Sequence, residues 1–326
     1  MTERTMTFSG ATLEAMREEM RRDDGVFLMG EDIAKQGGIF GQFKGLPEEF
    51  GTERVRDTPI SEAAIVAAAV GAAMTGSRPV VDIHFADFLT CAMDELVNQA
   101  AKSRYMFGGQ VGVPLVIRAP EGAIRSAGPQ HSQCLESWFV HIPGLRVVSP
   151  SNPADAKGLL KAAIRSDDPV LFLEHKALFS RKGAVPEQEY VTELGKAAIA
   201  RPGRDISVIS WSLTLTKCLA AAELVSADGI DCEVIDMRTL SPMDMDTVLE
   251  SVARTKRVLI AHEAPRTGGL GAELSARIGE ALFGQLDAPI MRLANPDVPI
   301  PFAPSLERWA VPQIEDIVDG IRKLVS

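Results

Sequence analysis

The sequence predicts a doubly wound α/β fold in two domains, and three observations carry that prediction. Apolar runs such as VFLM at 26–29, PVVDI at 79–83, VPLVIR at 113–118 and VLFLE at 170–174 do not alternate with polar residues, which marks strands buried on both faces of a mostly parallel sheet. Segments of helical periodicity stand between them, the order expected of βαβ units. A polar stretch containing Pro and Gly, RKGAVPEQEY at 181–190, then breaks the pattern before a second set of runs begins. The domains are accordingly placed at 1–180 and 196–326, with a linker over 181–195.

Each element has its own warrant. Ser9 is placed as the N-cap of a helix in which Leu13, Met16 and Met20 recur at helical spacing. A helix over 61–75 follows Ser61, and a long helix is predicted from Ala86 to about Tyr105. LRVV at 145–148 is strand-like, and Pro153 opens a helix to Ser166, where proline suits the first turn. In the second domain ISVIS at 206–210, CEVID at 232–236 and VLIA at 258–261 read as strands. Helices are expected over 213–227, 245–255, 270–283 and 312–325. Sheets of this kind bind ligands beyond the carboxyl ends of their strands, so the loops after Ile83 and Ile117 are the places to look.

The bulk properties narrow the function. With 326 residues the chain is long enough for two domains with a sizeable core. A net charge of −10 counts against nucleic acid as the main partner. Cys91, Cys134, Cys218 and Cys232 form no C-x-x-C pair and no zinc spacing, as expected of reduced thiols in the cytoplasm. MTERTMTFS at the N-terminus has no apolar core of a secretory signal. No apolar run reaches the roughly 18–20 residues of a membrane span.

Four stretches are candidates for chemistry. In RDTPISEAAIVAAAVG, residues 56–71, Glu62 is the one acid of an otherwise apolar helix. As a helix-start device it complements the positive end of the helix dipole; as a functional group it is an ionisable side chain set where water is scarce, with its proton affinity raised. His131, in AGPQHSQ at 127–133, is either a surface loop residue or a proton-transfer group. HFADF at 84–88 offers His84, Phe85 and Phe88 either as crevice lining or as core. TGGLG at 267–271 lacks the phosphate-binding fingerprint and reads as a tight turn. These residues alone do not name a reaction.

Taken together, GED at 30–32, DTPISE at 57–62, HFADF at 84–88, VNQAAK at 97–102, PQHSQ at 129–133, HIPGL at 141–145 and RTLSP at 238–242 resemble the β subunit of the E1 component of 2-oxoacid dehydrogenase complexes, nearly end to end. That family comprises pyruvate, branched-chain 2-oxoacid and acetoin dehydrogenases. The resemblance implies a pyrimidine-binding domain followed by a transketolase C-terminal-like domain, with thiamine diphosphate shared with an α subunit that also holds Mg2+. The diphosphate signature of that α subunit, G-D-G followed by an Asn pair, is missing here. An α2β2 heterotetramer and a lipoyl-bearing E2 acyltransferase are the implied partners.

Residue by residue, Glu62 matches the glutamate that hydrogen-bonds N1′ of the aminopyrimidine, which tunes the 4′ nitrogen as the base for C2. Ile60 and Phe88 match positions beside the pyrimidine, with Phe85 adjacent, and His84 stands where the branched-chain type has Gln. His131 matches the histidine implicated in reductive acylation of the lipoyl group. A family potassium site falls on Leu115, Ala163, Ile164, Ser166 and Asp168, of which Ser166 and Asp168 depart from the usual residue types. The expected reaction is oxidative decarboxylation of a 2-oxoacid with acyl transfer to lipoamide. Cleavage of acetoin and a split transketolase are the alternatives among enzymes, and a scaffold subunit with a dead site is the non-enzymatic one.

Overall fold

In the computed structural model, which describes residues 3–326, the chain divides into two units. One comprises the residues up to Glu121 together with Trp138–Leu194, the other Gly122–Ser137 with Gly195–Ser326. The elements in chain order are β1 (Glu3–Thr7), α1 (Phe8–Arg22), β2 (Val26–Gly30), α2 (Leu46–Phe50), β3 (Val55–Asp57), α3 (Glu62–Met74), β4 (Arg78–Asp82), α4 (Ser103–Met106), β5 (Val116–Glu121), α5 (Glu136–Val140), β6 (Arg146–Val148), α6 (Pro153–Arg165), β7 (Val170–His175) and β8 (Lys182–Pro186). There follow β9 (Ala198–Arg201), β10 (Ile206–Ser210), α7 (Ser212–Ser226), β11 (Cys232–Asp236), β12 (Thr239–Ser241), α8 (Met245–Thr255), β13 (Val258–Pro265), α9 (Leu270–Ala281), β14 (Met291–Asn295), α10 (Pro304–Ala310) and α11 (Ile314–Val325).

In the first unit, six parallel strands lie in the order β6-β7-β5-β4-β2-β3. Every residue of β5 and β7 is buried, which is why these runs do not alternate. Met16 and Met20 of α1 and Leu159, Leu160 and Ile164 of α6 pack on Leu28, Val80, Val116 and Phe172 of the sheet. From β2 the chain goes to the edge strand β3, then returns across β2 to β4 and continues the other way to β5. The connections leaving β2 and β4 therefore part in opposite directions, and the gap beyond their carboxyl ends is the switch point where such sheets take ligands.

The second unit is built on a five-stranded sheet in the order β14-β13-β10-β11-β9. The first four strands are parallel, and β9 runs antiparallel to β11 with a register shift at Val234/Ile235. Val208, Val234 and Leu259 meet Leu215, Ala222 and Val225 of α7 and Ile317 and Ile321 of α11 in its core.

Three sequence expectations are corrected locally. Thr7, not Ser9, caps α1: its extended backbone lets the hydroxyl accept from the Gly10 N–H at 3.0 Å, while Ser9 lies within the helix and donates to the Phe179 carbonyl. The helix expected over 86–105 is a 3-10 turn at Ala86–Ala92, a π turn at Glu95–Ala100 and then α4. Ala86, Leu89 and Ala92 are buried at every third position, the period of a 3-10 rather than an α-helix. The stretch taken for linker contains β8, which pairs antiparallel with β1; its partner lies so far back in the chain that composition hides it.

At the centre of the first sheet Arg118 is wholly buried and forms a two-pronged pair with Glu174, Nε to Oε2 and Nη2 to Oε1 both at 2.8 Å. Its guanidinium also lies over the Phe43 ring. Burial pushes the neighbouring Asp82 carboxyl up to about 6, with Arg118 pulling it back and Glu174 adding to the rise. Removing one member leaves a charge stranded in the interior. Glu174→Ala is expected to cost about 3–5 kcal/mol of unfolding free energy in denaturant titrations, and a loss under about 1 kcal/mol is what a solvent-exposed pair gives.

Candidate active site

The switch point is lined by three side chains from three segments: Glu31 after β2, His84 after β4 and Glu62 at the start of α3. β2 and β4 come together closely at their ends. A Cβ on Gly30 would stand 2.9 Å from the Asp82 carbonyl oxygen, so glycine lets the two chains meet. The loop after β2 is held by Asp57, whose carboxylate accepts the Ala34 N–H at 2.7 Å and the Lys35 N–H at 3.2 Å.

His84 reaches Glu31 twice. Nε2 lies 2.8 Å from the Glu31 backbone carbonyl, and Nδ1 lies 3.3 Å from Glu31 Oε2. A carbonyl only accepts, so Nε2 carries the hydrogen of that contact, and Nδ1 faces the Glu31 carboxyl. Burial pushes the Glu31 carboxyl above its ordinary value; His84 opposes the rise, and the charge of Glu62 adds to it. Glu62 is half-buried at the first position of α3. Ser61 stands at the N-cap but makes no side-chain capping bond. The positive end of the helix thus faces the crevice without an N-cap side-chain bond and with Glu62 in its first turn, a setting that favours a carboxylate or a hydrogen-bond acceptor.

One wall is aromatic. Phe85 and Phe88 meet edge to face at 6.0 Å, Phe40 adds to Phe85 at 6.2 Å, and Lys176 Nζ stands 5.1 Å from the Phe85 centroid. Ile60, two residues before Glu62, is 82 % exposed. The expected crevice residues Ile60, Glu62, His84, Phe85 and Phe88 therefore all lie on the two segments that follow β3 and β4. The crevice does not open after Ile117, because β5 runs on to Glu121. Sequence reasoning left Glu31 without a role. The signal available was GED immediately after a buried strand, an acid placed where a parallel sheet opens.

Leu115, Ala163, Ile164, Ser166 and Asp168 gather where α6 turns into β7, and their oxygens are engaged. Leu115 O accepts the Val170 N–H at 2.9 Å and Ala163 O the Ser166 N–H at 3.1 Å. Ile164 O and Ser166 O both accept from Arg78, and the Asp168 carboxylate pairs with Arg104 and Arg146.

His131 belongs to the second unit, on the excursion Gly122–Ser137. That loop is pinned from below: Ala123 N–H donates to Glu263 at 2.6 Å, Ser126 N–H donates to Glu307 at 2.8 Å, and a Cβ on Gly128 would overlap the Phe302 ring. Beside His131, which is half-buried, Pro129 and Ser132 border a cleft of about 540 Å³ shared with Glu263, Thr267, Asn295 and Asp297. TGGLG leads into α9 as the expected turn. Gly268 is left-handed, and Gly269 and Gly271 make room for the buried His262 ring, which stacks on Trp211 at 5.3 Å.

Comparison with known proteins matches two domain families in succession. The transketolase pyrimidine-binding domain profile matches residues 4–181 and the transketolase C-terminal domain profile residues 195–317. The chain is 46% identical over 319 residues, 98% of its length and 69% of the relative, to a pyruvate dehydrogenase E1 component subunit beta of Rhizobium meliloti (strain 1021). It is 44% identical over 323 residues, 98% of its length and 99% of the relative, to a 2-oxoisovalerate dehydrogenase subunit beta of Bacillus subtilis (strain 168). It is also 44% identical over 333 residues, 99% of its length and 98% of the relative, to an acetoin:2,6-dichlorophenolindophenol oxidoreductase subunit beta of Cupriavidus necator. Among solved structures, a split-gene transketolase described as an inactive beta4 tetramer superposes with a TM-score of 0.79 at 22% identity, covering 98% of both chains; at that identity the likeness speaks for the fold alone.

Glu136 offers a test within the second unit that needs no ligand. Burial pushes its carboxyl up to about 7; the Trp211 indole and its own backbone N–H oppose the rise, and the Glu263 charge adds to it. A folded-state value above the unfolded one means stability is lost as pH rises through the folded value. Wild-type stability is expected to decline between the ordinary carboxyl value of 4.5 and about 7, and to level off above that. Glu136→Gln should lack this decline, and so exceed wild type at alkaline pH by on the order of 1–3 kcal/mol. Parallel pH profiles of the two proteins would show that Glu136 does not titrate as stated.

Proposed function

The chain belongs to the family of β subunits of 2-oxoacid dehydrogenase E1 components, and from that membership we propose that it supplies the pyrimidine-binding half of an active site completed by an α subunit. The observation that carries the reading is the carboxylate of Glu62, set at a helix start without an N-cap side-chain bond in the switch-point crevice beside the contacting pair Glu31 and His84. The pyrimidine-binding domain implies thiamine diphosphate, and these residues suit its aminopyrimidine. A ring nitrogen can share a proton with Glu62, and Ile60 and Phe88 offer apolar surface to a flat ring. When bound, that cofactor supplies the carbanion chemistry needed to break the bond beside a carbonyl.

The chain's own contribution is then positional and electrostatic. Glu62 holds a proton at N1′ of the aminopyrimidine, and the apolar residues of α3 behind it keep water from competing for that hydrogen bond. Burial pushes the Glu31 carboxyl above its ordinary value, which limits the negative charge that Glu62 faces. His131 is assigned to proton transfer during acylation of a lipoyl group carried by an E2 partner. The diphosphate and its Mg2+ fall to the α subunit.

The need for a partner is supported by surface composition. α3 is apolar almost all round, yet Ala64, Ala67, Ala68, Gly71 and Met74 face outward. Tyr105, Met106 and Phe107 are also exposed, Tyr105 by 89 %. A helix apolar on every side is one that is covered in its working state, and exposed patches of this kind mark protein contacts. An α2β2 assembly accounts for them. The four cysteines are all free thiols, in keeping with a reducing compartment, and among the described residues no helix is long and apolar enough to cross a membrane.

Pyruvate, a branched 2-oxoacid and acetoin are all compatible, because relatives named for each are about equally similar; oxidative decarboxylation of a 2-oxoacid is the preferred reading. Co-expression with the α subunit and assay against pyruvate, branched 2-oxoacids, acetoin and ketose phosphates decides among them. Release of CO2 with acylation of lipoamide is expected. Cleavage of acetoin without CO2 selects the acetoin reading, and ketol transfer between sugars without lipoamide selects a split transketolase. In the active complex Glu62→Gln is expected to slow hydrogen–deuterium exchange at C2 of the cofactor by about 10²–10⁴-fold, and an unchanged rate removes the role given to Glu62.

A further inference from the structure

We propose that arginine side chains of the first unit take the place of the potassium ion that the resemblance puts at the junction of α6 and β7, so that this chain is built without the metal. A potassium site there needs several oxygens turned toward one point and free of other cations. Here Ile164 O and Ser166 O already accept guanidinium N–H groups, and Leu115 O and Ala163 O accept backbone N–H groups. Arg78, at the start of β4, directs one nitrogen, Nη1, at two of them: Ile164 O at 3.1 Å and Ser166 O at 3.0 Å. Its Nη2 donates to Asp167 at 2.5 Å.

Arg104, from α4, pairs through Nε with Asp168 Oδ1 and donates from Nη2 to the Asp167 carbonyl at 2.9 Å. Arg146, from β6, donates to the other oxygen of Asp168 at 3.2 Å and to Ser166 Oγ at 3.3 Å. Ser166 itself is turned inward: its hydroxyl donates to the Asp168 carbonyl at 2.9 Å and accepts the Asp168 N–H at 3.1 Å. Its side chain and the carboxylate of Asp168 are thus both committed.

Charge balance points the same way. The three guanidinium groups face three carboxylates, Asp167 and Asp168 with Asp23, which stands 3.7 Å from Arg78. The cluster carries no net negative charge to attract a metal ion, and a cation at Ile164 O and Ser166 O would stand against the Arg78 guanidinium already bonded to them. A guanidinium does mechanically what the ion would do. It is always charged, it carries five N–H donors in a rigid plane, and it ties the turn at 164–168 to β4, α4 and β6. Arg104 has a second consequence, because it anchors the short helix that presents Tyr105 and Met106 at the surface.

The test uses the full chain in complex with its α subunit, exchanged into potassium-free buffer. Elemental analysis is expected to find well under one potassium per β chain beyond that of the α subunit prepared alone. Melting temperature is expected to be the same in potassium, sodium and choline chloride at equal ionic strength. One retained potassium per β chain, or a melting temperature that rises with potassium but not with choline as mass action requires of a bound ion, overturns the proposal. Arg104→Leu is expected to lower the melting temperature in all three salts; an unchanged value would show that this guanidinium does not hold the turn.

Discussion

The close approach of β2 and β4 is the constraint on which the first unit's chemistry depends. Gly30 lies so near the Asp82 carbonyl that a methyl group would not fit. The two strand ends are thereby held side by side at the point where the sheet reverses its winding. Glu31 and His84, the residues that leave those ends, are forced into one hydrogen-bonded pair, and the start of α3 comes down beside them. The position of Glu62 follows from strand order and from one missing Cβ.

Electrostatics in this unit follow a gradient of burial. Deep in the sheet, Arg118 and Glu174 neutralise each other and carry Asp82 with them. At the mouth, Glu31 is half relieved by His84, and Glu62 is left with the helix dipole as its local complement. A carboxylate so placed is available to a ligand, because no side chain of the same helix start has claimed it. Had Ser61 capped α3 in the ordinary way, the peptide N–H groups would be satisfied and the crevice would lose part of its positive character.

The outward face of α3 and the aromatic tip at 105–107 give the surface its other meaning. A helix with no polar face is poorly placed against water, and here it carries Glu62 on its first turn. The exposed apolar surface and the placement of the acid are therefore properties of one element. The arginine cluster at the α6–β7 turn stands behind this surface through Arg104, so the fastening of the turn and the presentation of the apolar tip share a residue.

Much of this was legible in the sequence, for a physical reason. Burial on both faces of a strand leaves an unbroken apolar run, which is why ISVIS at 206–210 and CEVID at 232–236 coincide with β10 and β11. The lone acid of an apolar helix marked Glu62, and the ensemble of motifs marked the family. What local pattern does not contain is the pairing of distant segments. His84 meets Glu31 across 53 positions and Arg78 meets Ser166 across 88; both contacts exist because of strand order. The same limit hid β8 behind a polar composition and left Glu31 without a role. The sequence by itself determined the buried strands of both sheets and the helices α1, α3, α6, α7, α8, α9 and α11, since burial is written residue by residue. Only the tertiary structure decided which charges face one another, since that depends on the order in which the strands are laid down.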